Sequence, residues 1–508
     1  MTLDPDTCYR AFASRDRRFE GRFVTAVVTT GIYCRPGCPA RLPRRRNMRF
    51  FACAAAAEQA GFRACLRCRP DGVPGSPAWS GTSATVNRAL RLIDDGALDE
   101  AGVDRLADRL GVTDRHLRRL FEEHLGASPH AVARTRRAHF ARRLIEETRL
   151  PFGEIALSAG FTNVRRFNQA MRETFWRSPR ELRGRPPAAR AARRRGPPAH
   201  LEASARDGAL QLALRARAPF DGRAVLAFLA PRAVPGLERV ERGSYYRAIE
   251  VDGAPTVLGV TPSAGALHVS LARPAPRDLI AIASRVARVF DLNADAPQIL
   301  AHLRRDPLLA RALAGRHDLR VPGAWHPFEL AVRAILGQQV SVRGAATLAA
   351  RIVHSFGEPL AVPLQGVTHA FPTPQRLADA DLGAVGLTRA RAASLTALAR
   401  AVAEGRLDFA QLGDLEQAVP ALMRLRGIGA WTAQYIAMRA LGEPDAFPAG
   451  DLGLLRAMEN GSGRARRTAS LQRATRDLEQ RSQAWRPWRA YAVVALWTRD
   501  HSNTGGST

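Results

Sequence analysis

Four of the six cysteines stand in two short-spaced pairs, Cys34 and Cys38 within "TTGIYCRPGCPAR" and Cys65 and Cys68 within "CLRC". Thiolates at this spacing, with 27 positions from Cys38 to Cys65, suit one tetrahedral zinc ion. Such a site can simply hold a small fold together, the commoner case from spacing alone, or it can keep a thiolate nucleophilic at neutral pH. Cys8 and Cys53 lack ligand spacing and read as small buried or free thiols. A second candidate for chemistry is Asp451 in "FPAGDLGL", 22 positions beyond Gly429. A carboxylate there can cap the helix read from "LGLLRAM" or stabilise positive charge in a cleft, and one residue can do both.

About three or four domains are needed to position these groups, since 508 residues exceed a single core. The formal net charge of +29 costs self-repulsion unless a polyanion neutralises it, which makes nucleic acid the first partner to consider. All 76 basic residues are arginine, and with the alanine richness this bears the mark of codon bias, so the count weighs less than the placing. Each arginine still offers bidentate donors to phosphate or guanine. The opening "MTLDPDTCYRAF" lacks the apolar stretch of a signal peptide, and no run of about 18 apolar residues occurs. A cytoplasmic, nucleoid-associated monomer with no membrane partner is expected. In a reducing cytosol the cysteine pairs read as ligands rather than disulfides.

The expected fold is multidomain and mainly α. Residues 1–78 form a small zinc-binding α+β domain, closed by the Pro/Gly/Ser-rich loop from Pro70 to Gly81. Residues 83–183 carry apolar positions at helical spacing, and 184–206 form a Pro/Ala/Arg linker too polar to pack. In 207–290 the segments "GALQLALRA", "SYYRAIEVDG", "PTVLGVTP" and "ALHVSLA" read as strands and "GRAVLAFLA" and "PRDLIAIASRVARVF" as helices, a small α+β domain. Residues 291–500 are again helical with short Gly/Pro breaks, and the small domain is expected to pack on them.

Within the helical middle, "VDRLADRLGVTDRHLRRLFEEHLG" has a helix ending at glycine, a tight turn and a second helix charged on one face. The arrangement returns 49 positions later in "EIALSAGFTNVRRFNQAMRETF", aligning Gly111 with Gly160. Two helix-turn-helix units follow, whose second helices, Asp114 to Glu123 and Asn163 to Thr174, can enter the major groove. Arg115, His116, Arg118 and Arg119 in the first, and Asn163, Arg165, Arg166 and Asn168 in the second, are candidates to reach double-stranded DNA. With the closing "SPRELR", the pair resembles the AraC-type DNA-binding domain.

The stretch "FVTAVVTTGIYCRPGCPAR", followed by "NMRFFACAAAAEQAGFRACLRCRPD", is similar to the N-terminal domain of the Ada methyl-phosphotriester repair proteins. That resemblance implies zinc held by Cys34, Cys38, Cys65 and Cys68, with Cys34 also accepting a methyl group from a methylated DNA phosphate. It further implies phosphate contacts at Thr30, Arg41 and Arg67. Four thiolates around one dication carry a net charge of about minus two, and methylation removes one unit of it, so the repaired module repels DNA less. The Ada resemblance stops at the linker, because the alkylguanine site of two-activity Ada proteins needs a cysteine and none lies beyond Cys68.

In the C-terminal part, "LMRLRGIGAWTAQYIAMRALGEPDAFPAGDLGLLRAM" resembles a helix-hairpin-helix followed by the catalytic aspartate of base-excision glycosylases. At Gly427 and Gly429 the backbone amides could hold a DNA phosphate, while the carbonyls of such a hairpin can ligate a monovalent cation. With "HPFELAVRAILGQQVSV" and "WRPWRAYAVVALWTRD", residues from about 207 to 500 look like the AlkA family, 3-methyladenine DNA glycosylase II. The resemblance implies Asp451 as the catalytic aspartate and Trp431, Tyr435 and Trp497 as an aromatic base pocket. Electron-rich rings favour a cationic alkylated base by about 0.5–2 kcal/mol. The family carries an apolar wedge after the first Gln of "LGQ"; this chain carries Gln339, which leaves open how the gap of a flipped base is filled. Strand-cutting glycosylases commonly use a lysine Schiff base, and iron-sulfur relatives need four C-terminal cysteines; the chain has neither.

Together these resemblances imply an adaptive-response DNA alkylation repair protein. Its first half takes methyl groups stoichiometrically and activates transcription, with RNA polymerase as a further partner. Its second half is a monofunctional glycosylase acting on alkylated DNA, releasing bases such as 3-methyladenine and 7-methylguanine. The alternative is a DNA-binding transcription regulator whose glycosylase-like half is a non-catalytic clamp; in another, the zinc module is structural only.

Overall fold

The computed structural model describes residues 4–16, 19–68, 70, 84–99, 101–184, 210–251, 253–271, 279–458 and 468–498. The expected loop after Pro70 and the expected linker after Gly184 lie outside the described residues. The chain divides into two compact units, one of residues 1–214, 250–258 and 268–285, the other of residues 215–249, 259–267 and 286–508.

The first unit begins with α1 (Pro5–Ala13), capped by Asp4, whose carboxylate accepts from the Thr7 amide at 2.8 Å. A four-stranded sheet follows, made of β1 (Val24–Val27), β2 (Ile32–Cys34), β3 (Met48–Phe51) and β4 (Arg63–Ala64) in the order β3–β1–β2–β4. Strand β1 runs antiparallel to β2 and β3, whereas β2 and β4 are parallel. The helix α2 (Ala54–Gln59) buries four consecutive alanines, small enough to lie close to its neighbours.

Helices α3 (Ala84–Asp94), α4 (Val103–Leu110), α5 (Asp114–Leu125), α6 (Pro129–Glu147), α7 (Phe152–Ser158), α8 (Val164–Phe175) and α9 (Pro179–Arg183) complete this part. The two expected helix-turn-helix units are α4–α5 and α7–α8, with Gly111 and Gly160 at φ 69° and 80° in the turns. Thr113 and Asn163 cap the second helices, their side chains accepting from the amides of His116 and Arg166. Asn163, expected inside the helix, therefore stands just before it, because its short amide side chain satisfies an orphan N–H there. Between the units runs α6, buried on almost every side. Arg137 within it is neutralised by Asp99 at 2.9 Å and Arg136 by Asp94 at 3.1 Å.

The expected α+β segment consists of β5 (Leu210–Arg215), α10 (Gly222–Leu229), β6 (Glu238–Glu241), β7 (Ser244–Val251), β8 (Ala254–Ser263), β9 (Ala266–Leu271) and α11 (Leu279–Val289). Its strands are ordered β5–β9–β8–β7–β6. Strand β6 is additional to the expected set. Its sequence "ERVE" shows little apolar alternation, yet it pairs with β7 from Glu238 opposite Arg247 to Glu241 opposite Ser244.

The remainder of the second unit holds α12 (Ala296–Leu303), α13 (Pro307–Ala312), α14 (Pro327–Leu336), α15 (Val342–Phe356), β10 (Pro359–Leu364), β11 (Val367–His369), α16 (Pro374–Ala378), α17 (Arg389–Ala403), α18 (Leu415–Met423), α19 (Ala430–Arg439), α20 (Leu452–Met458), α21 (Thr468–Ser482) and α22 (Arg489–Trp497). Helices α14, α19 and α22 carry runs of buried residues and form its centre. The expectation of a helical region broken only by short Gly/Pro stretches is corrected by the hairpin β10–β11. Gln365 and Gly366 turn it with φ 53° and 75°, the two positive values that a tight hairpin of right-twisted strands requires.

Candidate functional sites

The parallel pairing that sets Tyr33 opposite Ala64 brings the next residues, Cys34 and Cys65, side by side. The Cys65 amide donates to the Tyr33 carbonyl at 3.0 Å, and a turn closed by the Cys38 amide on the Arg35 carbonyl at 3.1 Å returns Cys38 to the group. The sulfurs of Cys34, Cys38, Cys65 and Cys68 all lie within 4.8 Å of one another and all are buried. Sulfurs around a tetrahedral zinc stand about 3.8 Å apart, so the residues fit the ion. Without a cation they conflict electrostatically. Cys65 is held far below the usual thiol range, first by its hydrogen bond with Cys34, and Cys38 is lowered to about 7 by the same neighbour. Cys34 is pushed up, first through Cys38. A central dication removes the conflict by favouring all four thiolates.

The other two cysteines have no such company. Burial pushes the thiols of Cys8 and Cys53 up to about 11, and the Cys53 sulfhydryl donates to the Leu125 carbonyl at 3.3 Å. Thr30, Arg41 and Arg67 are exposed on the zinc module, as phosphate contacts would have to be. Arg35, beside Cys34, is instead paired with Glu20 at 2.8 Å.

Tyr33 carries the module onto α6. Its fully buried hydroxyl donates to Glu58 Oε1 at 2.7 Å and lies 3.0 Å from His139 Nε2, while the Thr135 hydroxyl donates to Glu58 Oε2 at 2.6 Å. Burial pushes the Tyr33 phenol well above its ordinary value, so it remains a donor. The sequence contains no local signal for this network, because Glu58 and His139 are brought together only by tertiary packing.

On α5, Arg115, Arg118 and Arg119 are exposed and His116 is half-buried. Around the start of α8, Asn163, Arg165 and Arg166 are exposed and Asn168 is half-buried. Arg118 donates to Asp114 at 2.9 Å and Arg119 lies 3.1 Å from His116 Nδ1, exposed contacts that DNA can displace at little cost.

In the second unit, the turn between α18 and α19 places Gly427 at φ 82°, where an added Cβ would stand 2.0 Å from the Ser394 hydroxyl oxygen. Only glycine fits there. Gly429 has an ordinary φ of −87° and open space around it, so of the two only Gly427 requires glycine. Gly429 is the N-cap of α19 and offers no side-chain cap to the first amides of the helix. The Gly427 carbonyl already accepts from Gln338 Nε2 at 2.8 Å, so one hairpin carbonyl read as able to ligate a cation is engaged.

Asp451 both caps a helix, as anticipated, and lines a cavity. Its Oδ1 accepts from the Leu454 amide at 3.0 Å, capping α20. The same oxygen accepts from Trp497 Nε1 at 2.8 Å, and Oδ2 accepts from Trp431 Nε1 at 3.1 Å. Trp431 stacks on Tyr435 with ring centroids 5.4 Å apart and planes 9° from parallel, and Tyr435 lies 6.2 Å from Trp497. These groups line one cavity of about 1080 Å³. Gln339 stands at its rim, exposed and at φ 56°, in a turn tethered by Gln338 to Thr432 at 2.9 Å and by Arg391 to the Gln338 carbonyl at 2.7 Å.

Sequence reasoning missed four arginines of the cavity wall, Arg232, Arg333, Arg439 and Arg456. Arg439 follows Tyr435 by one helical turn, a spacing that could have revealed it. Arg232 is far away in the chain and carries no such signal.

Residues 7–71 match the family model "Metal binding domain of Ada", which encloses the four-cysteine cluster, a zinc site. Residues 106–185 match "Helix-turn-helix domain", 211–326 "AlkA N-terminal domain", and 332–483 "HhH-GPD superfamily base excision DNA repair protein". The "DNA-3-methyladenine glycosylase 2" of Escherichia coli is 37% identical over 55% of this chain and 94% of its own length. The "Bifunctional transcriptional activator/DNA repair enzyme Ada" of the same organism is 35% identical over 36% of this chain and 49% of its own. The "Probable bifunctional transcriptional activator/DNA repair enzyme AlkA" of Mycobacterium tuberculosis is 43% identical over 98% of this chain and 97% of that protein. Such similarity from end to end, on a chain that carries both the zinc module and the glycosylase domain, places it in the family of bifunctional transcriptional activators and DNA repair enzymes of the AlkA type.

Proposed function

We propose that Asp451 is the catalytic group of a monofunctional DNA glycosylase that releases alkylated bases such as 3-methyladenine and 7-methylguanine. The observation that carries this reading is the Asp451 carboxylate, fixed by two indole N–H donors at the wall of an aromatic cavity. An alkylated purine is already cationic, so its bond to the sugar is weak once the nucleotide is flipped out. As the C1′–N bond breaks, positive charge appears on the sugar, and a fixed carboxylate stabilises it without reorganising. Water then adds at C1′, giving the free base and an abasic sugar. Trp431, Tyr435 and Trp497 provide the faces against which a cationic base stacks. The chain contains no lysine to form a Schiff base, which supports hydrolysis without strand cleavage. The hairpin at Gly427 and Gly429 grips backbone phosphate without reading sequence, and Gln339 at the rim contacts the DNA opened by flipping.

In the other unit, Cys34 takes the methyl group. Its sulfur attacks the methyl carbon of a DNA methylphosphotriester, the S–CH₃ bond forms as the CH₃–O bond breaks, and the phosphodiester anion leaves. Zinc, held by Cys34, Cys38, Cys65 and Cys68, keeps the sulfurs ionised. Thr30, Arg41 and Arg67 hold the phosphate. The lost negative charge strengthens DNA binding, and α5 and α8 then read an operator and recruit RNA polymerase as a nucleoid-bound monomer. The domain limits that fit this reading are 1–78, 83–183, 207–290 and 291–500.

Mass spectrometry of the protein and of the released bases after incubation with methylated duplex DNA tests both activities at once. One methyl group on Cys34 and free alkylpurines are expected; intact DNA would leave the non-catalytic clamp as the reading.

A further inference from the structure

Arg232 ends the short helical turn after α10 and lines the cavity of Asp451. Its guanidinium lies 3.8 Å over the ring of Phe228, which in turn stacks on Trp497, and its Nη1 donates to the Phe228 carbonyl at 2.9 Å. The nearby Tyr435 phenol acts on it electrostatically. Among the described residues nothing else accepts from it, which leaves most of a guanidinium's five N–H donors for the cavity. The site gives an arginine nothing to neutralise it fully, in contrast to Arg333, which is paired with Glu238 at 2.7 Å and Glu329 at 3.0 Å.

Tyr435 continues the same wall. Its hydroxyl accepts from Arg439 Nη1 at 3.0 Å. Arg439 cannot swing away, because it is buried and tethered to the carbonyls of Pro322 and Gly323. A phenol oxygen that accepts from a fixed guanidinium keeps its own hydrogen for the cavity, and such a chain polarises the donor. Burial alone would raise this phenol, but Arg439, Arg232 and Arg333 together bring it below its ordinary value, which strengthens it as a donor.

This wall therefore offers N–H and O–H groups, whereas the carboxylate of Asp451 already accepts from two indoles and an amide. A base that turns an exocyclic amine toward Arg232 sets donor against donor. A base that turns a carbonyl toward it gains a charge-assisted hydrogen bond, which also offsets the repulsion between a guanidinium and a cationic ring.

We propose that Arg232, with the Tyr435 hydroxyl braced by Arg439, is a specificity-determining donor wall that favours alkylated bases presenting a carbonyl, such as O6 of a purine or O2 of a pyrimidine, over those presenting an amine. The proposal rests on the glycosylase reading above and adds to it the edge of the base that is recognised.

The test uses the full-length protein and two duplexes methylated with dimethyl sulfate, matched except for one inosine or one adenine. The readout is the ratio of single-turnover release of 7-methylhypoxanthine to that of 7-methyladenine, bases methylated at the same atom that differ at C6 in oxygen against amine; 7-methyladenine is resolved by chromatography from the more abundant 3-methyladenine, and each rate is divided by the spontaneous rate without protein. Wild type should favour the carbonyl base by about tenfold or more, the usual effect of one hydrogen bond to a charged group. Arg232→Met, which keeps the stem over Phe228, should bring the ratio close to one; Arg232→Lys should retain part of the preference, and Tyr435→Phe should lower it. Because the ratio is taken within one preparation, partial unfolding of a variant cancels. A wild-type ratio near one, or an unchanged ratio in Arg232→Met, overturns the donor wall while leaving the glycosylase reading intact. Failure of wild type to release either base overturns both.

Discussion

The indole Nε1 of Trp497 donates to Asp451 Oδ1 at 2.8 Å across 46 residues of sequence, and Trp431 donates to the other carboxylate oxygen from the opposite side. The carboxylate is thus fixed in orientation by the same rings that wall the base cavity. Gly453 permits the approach, since a Cβ there would lie 2.9 Å from Asp451 Oδ1 and 3.3 Å from the Trp497 ring.

Trp497→Phe keeps a ring in the wall but removes the donor. One hydrogen bond to a charged group is worth about 1.5–3 kcal/mol, so single-turnover excision should fall roughly 10- to 100-fold. Binding to an abasic-site analogue should change little. Undiminished excision would show that the indole contributes only its ring.

Asp451→Asn keeps the size and a capping oxygen while losing the charge. Removal of an electrostatic stabiliser typically costs about 2.7–4 kcal/mol, so release of 3-methyladenine or 7-methylguanine should drop about 100- to 1000-fold. Equal losses in excision and in abasic-site binding would reveal a structural role for the cap instead.

Cys34→Ser should abolish methyl uptake from methylphosphotriester DNA and weaken zinc retention, read by intact-protein mass and by zinc content. Cys8 and Cys53, with thiols pushed up to about 11 by burial, should remain unmethylated in the wild type. A methyl group found on either of them would contradict the assignment.

Tyr33→Phe removes the hydroxyl that meets both Glu58 and His139, which also touch each other at 3.1 Å. Leaving those buried groups one partner short should cost about 1–3 kcal/mol. For a domain of this size that lowers the melting temperature of the zinc-loaded protein by about 2–4 °C per kcal/mol. Zinc content should stay unchanged, because the ligands are set by the backbone pairing of β2 with β4. An unchanged melting temperature would mean that water replaces the hydroxyl without loss.

Local chemistry was legible from the sequence alone. The spacing of Cys34, Cys38, Cys65 and Cys68 is a ligand pattern wherever the chain goes, and the glycines at 111 and 160 mark turns because few other residues accept φ near 70–80°. The aspartate after "FPAG" and the tryptophans around it could be read through resemblance. Their hydrogen bonds could not, for sequence records neither the direction of an indole N–H nor the distance across 46 residues. Strand β6 and the hairpin β10–β11 escaped because short strands owe their existence to a partner more than to their own pattern. Tertiary packing likewise decided the ends of helices, where Asn163 became a cap rather than a helical residue. It also decided which arginines matter. Seventy-six identical charges look alike in sequence, and only burial separates Arg333, neutralised by two carboxylates, from Arg232, which keeps its donors facing the cavity. An ionic group's role depends on what surrounds it in space, and that information enters only when the chain folds.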